Sequence, residues 1–107
     1  MGCYVLAQLS FKDVAAYRRY QARFAEVMRG FKGRLLVADE APRVLEGSWQ
    51  KDKVVLIWFP DEAAFAEWES SDAYQQIAVD RIAGADTTSV LLRGITDSPD
   101  TDARARQ

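Results

Sequence analysis

Between Cys3 and Phe11 the chain reads CYVLAQLSF, a run of strand formers in which both alternating sets, Tyr4/Leu6 and Val5/Ala7/Leu9, are largely apolar. A strand with this pattern needs cover on both faces. From Asp13 to Met28 the period changes: Val14, Tyr17, Phe24, Val27 and Met28 fall on one stripe of an amphipathic helix, with Asp13 placed as its cap. Gly30 and Gly33 punctuate the end of that helix, and RLLVA from Arg34 to Ala38 reads as a second strand. Beyond Pro42, RVLEGSW and KVVLIWF are two β-like runs separated by Gln50, Lys51 and Asp52, which predicts a hairpin. Pro60 and Asp61 open a helix whose Ala64, Phe65 and Trp68 face inward. Asp72 is positioned to cap a further helical piece running to about Ile82, before Gly84. TSVLLRG from Thr88 to Gly94 predicts a last strand, and the polar, aromatic-free TDSPDTDARARQ predicts a disordered tail.

The order strand, helix, two or three strands, helical segment, strand gives an α+β plan, βαββαβ, with an antiparallel sheet and its helices on one face. One domain over residues 1–96 and a tail over 97–107 account for the chain. Strands that are apolar on both sides leave the helix-free face of such a sheet too large an apolar patch for water. Packing two copies sheet to sheet, as a homodimer, resolves that.

Composition narrows the chemistry. The 107 residues carry 14 Lys and Arg against 16 Asp and Glu, a net charge of −2, which argues against a protein held to nucleic acid by phosphate neutralisation. No apolar run is long enough to span a bilayer. The chain begins without a secretory pattern and its single cysteine, Cys3, cannot form an internal disulfide, so a cytoplasmic location is expected. Histidine is absent altogether, which removes Ser-His-Asp catalysis, His-rich zinc sites and His-ligated haem. No glycine-rich phosphate loop occurs. No metal or organic cofactor is expected, and the groups left for chemistry are carboxylate, tyrosine, arginine, lysine and one thiol.

In SDAYQQIAVDR, Tyr74 and Arg81 stand seven residues apart, almost two helical turns, and so share one helix face. A guanidinium approaching a core needs a carboxylate or several carbonyls. If the hairpin pairs Trp49 with Val54, Glu46 lies opposite Ile57 on an otherwise apolar sheet face and becomes the partner of choice. Two readings follow. Glu46 and Arg81 form an ion pair tying helix to sheet, with Tyr74 hydrogen bonding nearby; or they line a pocket in which Arg81 holds an anionic ligand and Glu46 or Tyr74 handles a proton. Trp49, Trp58 and Trp68 either fill core and interface or wall an apolar ligand cavity. Ser71 either caps a helix or contacts a ligand. Gly47 marks a close approach of backbone, Cys3 serves as a small apolar residue, and Arg18, Arg19 and Arg23 form a solvated helix face.

EGSW at Glu46 to Trp49, VVLIWFP at Val54 to Pro60, Trp68, and SDAY at Ser71 to Tyr74 followed by Arg81 give the chain a family likeness over about residues 3–95. It resembles the uncharacterised family called domain of unknown function (DUF) 1330. FKGRLLV is similar to that family's glycine-containing approach to a strand, although the usual second glycine is Lys32 here, ADE stands in place of an arginine-glycine segment, and Trp58 replaces a strand-end carboxylate. The resemblance implies a ferredoxin-like fold of the dimeric α+β barrel group. That group holds cofactorless monooxygenases, small isomerases and haem enzymes beside members without known activity, so the likeness implies a fold and no particular reaction. Two functions from different classes remain. One is a dimeric module that binds a small apolar or anionic metabolite, with Glu46 and Arg81 structural; the other is a cofactor-independent enzyme, isomerase- or monooxygenase-like, whose pocket lies between helices and sheet.

Overall fold

The computed structural model describes residues 1–100. Four strands, β1 (Cys3–Phe11), β2 (Arg34–Asp39), β3 (Lys53–Phe59) and β4 (Ala85–Arg93), form one sheet in the order β2-β3-β1-β4. All three pairings are antiparallel. Three helices, α1 (Val14–Met28), α2 (Glu62–Ser70) and α3 (Asp72–Gly84), complete a ferredoxin-like arrangement. Each starts where a short polar side chain meets a free backbone donor: Asp13 accepts from the Ala16 N–H, Asp61 from Ala64 and Ser71 from Tyr74. Ser71, and not Asp72, therefore caps α3. Its hydroxyl also donates to the Trp68 carbonyl at 2.7 Å, so this side chain joins the end of α2 to the start of α3.

The register sorts the strands into two faces. Val5 stands between Ile57 and Leu91, Ala7 between Val55 and Ser89, and Leu9 between Lys53 and Thr87. This face looks to the helices, where Tyr17, Tyr20, Phe24, Val27, Met28, Trp68, Tyr74 and Ile77 form the core with Cys3, Leu9, Ile57 and Phe59. Of the stripe expected on α1, Tyr17, Phe24, Val27 and Met28 are buried, joined by Ala16 and Tyr20, whereas Val14 is 48% exposed. On the opposite face Leu6 stands between Leu56 and Val90, and Tyr4 between Trp58 and Leu92. None of these belongs to the helix-side core, and Val37, Val90 and Leu92 are exposed.

The predicted hairpin is corrected. Residues 40–52 form a connection without strand, and RVLEGSW is not a β element. The reason is geometric: β3 already has β1 on one edge and β2 on the other, so no edge is free to receive residues 43–49. Gly47 turns the chain with φ +82°, a left-handed conformation foreign to a strand. Of the predicted tail, Asp97 accepts the Trp58 indole N–H through its carbonyl at 3.2 Å and Asp100 pairs with Arg34 at 3.2 Å. The remainder, 101–107, lies outside the described residues. Among the described residues no helix is long and apolar enough to cross a membrane.

Candidate functional site

Helices and sheet do not close completely on one another. Between them lies a cavity of about 800 Å³, floored by Val5, Ala7 and Val55 of the sheet. Small residues on the facing strands leave room there: Ala7 and Ser89 sit side by side in the row where a leucine would fill the space. The volume is in the range of pockets that bury a small organic molecule.

The two ends of the cavity differ. At one end Phe24, Phe65 and Trp68 form the wall, Trp68 lying at 6.1 Å from Phe24 and 6.3 Å from Phe65 between ring centres. Tyr74 packs against Trp68 at 4.0 Å and leads to the middle, where its hydroxyl meets that of Tyr20 at 3.1 Å. At the other end, in the row of Leu9, stand Lys53 and Thr87, with Tyr17 above and Arg81 bonded through Nη1 to the Thr87 hydroxyl at 3.1 Å. The buried Nε–H of Arg81 and the Trp68 indole N–H have no acceptor among the described residues.

Lys53 is the most unusual of these groups. It is 3% exposed, with Nζ at 3.5 Å from Glu40 Oε2 and 4.8 Å from the centre of the Tyr17 ring. Glu40, just after β2, is gripped through both its oxygens by the guanidinium of Arg18. Those hydrogen bonds, helped by the nearby charges of Arg18 and Lys53, hold its carboxyl at about 2. Burial acts on Lys53 more strongly than the attraction of Glu40 and lowers its pKa from the ordinary lysine value. Burial, and next the charge of Glu40, pushes the Tyr17 phenol up to about 12. Tyr20 is raised too, by burial and then by Tyr74. Both phenols are therefore neutral donors at physiological pH, beside two cationic side chains.

Because the folded-state pKa of Glu40 lies below its unfolded value, its contribution to stability is present above the ordinary range near 4.5 and is lost as pH falls toward 2. The side chain is 37% exposed, so solvent screening limits the effect to at most about 1 kcal/mol. Urea unfolding from pH 5 to pH 2 should show a steeper loss of stability in the wild type than in Glu40→Gln. Parallel curves would remove this carboxylate from the pH dependence.

The structure brings Tyr74 and Arg81 together at this cavity, as their shared helix face predicts, but the Glu46–Arg81 pair does not form within the chain. Glu46 belongs to the 40–52 connection, is exposed, and has no hydrogen bond or ion pair among the described residues. It was assigned to the sheet face through a hairpin that the β2–β3 pairing displaces. Trp49, half-buried in the same connection, and Trp58, on the helix-free face with Arg34 over its ring, do not line the cavity. Ser71 is occupied as a cap and is not a lining residue either, whereas Trp68 is. Lys53 was missed, although period-two reading of Lys53, Val55, Ile57 and Phe59 puts it on the buried face. Tyr20 was missed because it breaks no pattern; it follows Tyr17 by three residues on the same stripe. No three His, Cys, Asp or Glu side chains among the described residues come together as metal ligands.

Residues 2–95 match the family described as domain of unknown function (DUF1330). The chain belongs to the DUF1330 family. No curated protein matches it. Among solved structures it is similar to the RPA0582 protein of unknown function from Rhodopseudomonas palustris, with 18% identity and a TM-score of 0.75 over 89% of this chain and 83% of that one. A dimeric ferredoxin-like protein of unknown function from Jannaschia sp. CCS1 aligns at 17% identity and TM-score 0.68, covering 88% of this chain and 100% of that one. SnoaB from Streptomyces nogalater, a cofactor-independent oxygenase, aligns at 15% identity and TM-score 0.64, covering 92% and 97%. At these identities the likeness establishes the DUF1330 chain's fold and leaves its chemistry to its own residues.

Proposed function

We propose that this DUF1330 protein is a homodimeric small-molecule-binding protein whose ligand occupies the cavity between the helices and the sheet. The observation that carries this reading is the cavity itself: a cleft of about 800 Å³ between helices and sheet, its rim reaching the exposed Leu35, Ile82 and Leu91, beside a core packed with aromatic and aliphatic side chains. A cleft this large, lined by tyrosine, lysine and arginine as well as by apolar groups, fits a ligand site. The helix-free sheet face supports the dimer, as does the dimeric state of the similar protein from Jannaschia.

A catalytic reading has a specific support of its own. Lys53 and Arg81 stand at the cavity as cations that can hold developing negative charge, and the Tyr20 and Tyr74 hydroxyls line the same cavity as hydrogen-bonding groups. Recovery of a bound compound unchanged after prolonged incubation in air would count against catalysis.

Ala7→Phe tests the binding reading. The added ring grows from the cavity floor into the open space, so the fold should tolerate it while ligand affinity falls by roughly two orders of magnitude. A metabolite screen by thermal shift should yield ligands for the wild type whose stabilisation disappears in this variant. Ligands that stabilise both proteins equally would place the site elsewhere.

A further inference from the structure

The polar end of the cavity holds a cation, Arg81, that forms no ion pair with any carboxylate among the described residues. Arg18 and Lys53 share Glu40, which Arg18 already grips at two points, and Arg81 has no part in that cluster. Among the described residues Arg81 has a hydroxyl partner, Thr87, and a buried Nε–H without an acceptor. The neighbouring acids are engaged elsewhere: Asp52 accepts from the Phe11 N–H and Asp13 from the Ala16 N–H. Asp80 is paired with Arg19 and Asp86 with Lys12. Glu69 touches the cavity from α2, the helix that carries Phe65 and Trp68, and so belongs to the opposite end. A half-buried cation without a counter-charge is costly in an apolar setting, and a ligand that brings the counter-charge removes that cost.

We infer that the ligand is an amphipathic organic anion: a flat, apolar body lying between Trp68, Phe24 and the alanine floor, with one resonance-delocalised oxyanion, as in a carboxylate, phenolate or enolate, at the Arg81 and Lys53 end. The inference rests on the cavity being a binding site and adds the polarity and orientation of what fills it. Arg81 presents a planar fork that suits such an oxygen pair, Lys53 adds a point charge, and the Tyr20–Tyr74 hydroxyl pair lies midway along the body. The aromatic end contributes area and ring contacts, while the charged end fixes direction.

Three probes of one size separate the two claims: 2-naphthoate, 2-naphthylmethanol and 2-naphthylmethylammonium, with affinities read by calorimetry at constant ionic strength. The wild type should bind naphthoate about tenfold more tightly than the neutral alcohol, and the ammonium most weakly. In Arg81→Met the naphthoate-to-alcohol ratio should collapse toward one, and Arg81→Lys should restore most of it. Equal binding of naphthoate and alcohol by the wild type, a measurement that needs no variant, would overturn the anion inference. An unchanged ratio in folded Arg81→Met would overturn the assignment to this end of the cavity. Alcohol binding that Ala7→Phe abolishes would keep the binding site even then, whereas failure of all three probes to bind the wild type would remove the site and the inference together.

Discussion

Replacing Leu6 with glutamate should turn the protein from a dimer into monomers, raising the dissociation constant by roughly three orders of magnitude, about 4 kcal/mol. Leu6 occupies the middle of the helix-free face, with Leu56 on one side and Val90 on the other. Val37 is opposite Leu56 at the edge, so the central row is aliphatic across all four strands. In the proposed homodimer, sheet-to-sheet packing about a twofold axis would bring this row against its copy, an isologous contact in which each substitution counts twice. Two carboxylates would then be desolvated near the axis with no cation in the row to receive them. The expected interface is of ordinary size, roughly 1,200 Å² or more in total. Sedimentation of the wild type at micromolar concentration should give the dimer mass, and Leu6→Glu half of it with unchanged circular dichroism. A monomeric wild type would refute the arrangement outright. Ala7→Phe, one residue along but on the helix side, should leave the assembly intact.

The contrast between Leu6 and Ala7 also shows what the sequence makes legible. Both alternating sets of β1 are apolar, and the need for cover on both faces can be read directly from CYVLAQLSF. The helices were equally legible from their periodicity and from Asp13, Asp61 and the Ser71-Asp72 step. Where the reading failed, at residues 43–49, local pattern and global pairing disagree. Val44, Leu45 and Trp49 look like a strand, but strand formation depends on a free edge, and β2 occupies it. That one error displaced Glu46 from a loop to the sheet and produced the expected pair with Arg81. Lys53 was lost for the converse reason. A lysine at the mouth of a turn reads as solvated, and only its parity with Val55, Ile57 and Phe59 reveals the buried face. A pocket between helices and sheet beside Tyr74 and Arg81 was legible as one reading, but its size and its Lys53 end were not, since they depend on how far three helices stand from the sheet.

Packing of the helices can be tested at the point where α3 meets α1. Gly84 closes α3, and its carbonyl accepts hydrogen bonds from the Lys12 and Asp13 N–H groups at 2.8 and 3.1 Å. A Cβ at this position would lie 2.5 Å from the Tyr17 nitrogen and 2.9 Å from the Asp13 carbonyl oxygen, which are backbone atoms that cannot rotate away. Gly84→Ala must therefore push the first turn of α1 off the end of α3, straining or breaking both hydrogen bonds and loosening Tyr17 above Lys53. Overpacking and two weakened backbone bonds together should cost about 3–4 kcal/mol, read as a lower urea midpoint with the slope unchanged. Gly47→Ala provides the comparison. Nothing lies within 4 Å of a Cβ there, and only the positive φ opposes it, for about 1 kcal/mol. If the two alanines cost the same, the contact between α3 and α1 yields more easily than its backbone geometry implies. If Gly84→Ala proves costly and also weakens naphthoate binding more than Gly47→Ala does, the same helix contact that stabilises the fold holds Tyr17 and Arg81 at the charged end of the cavity.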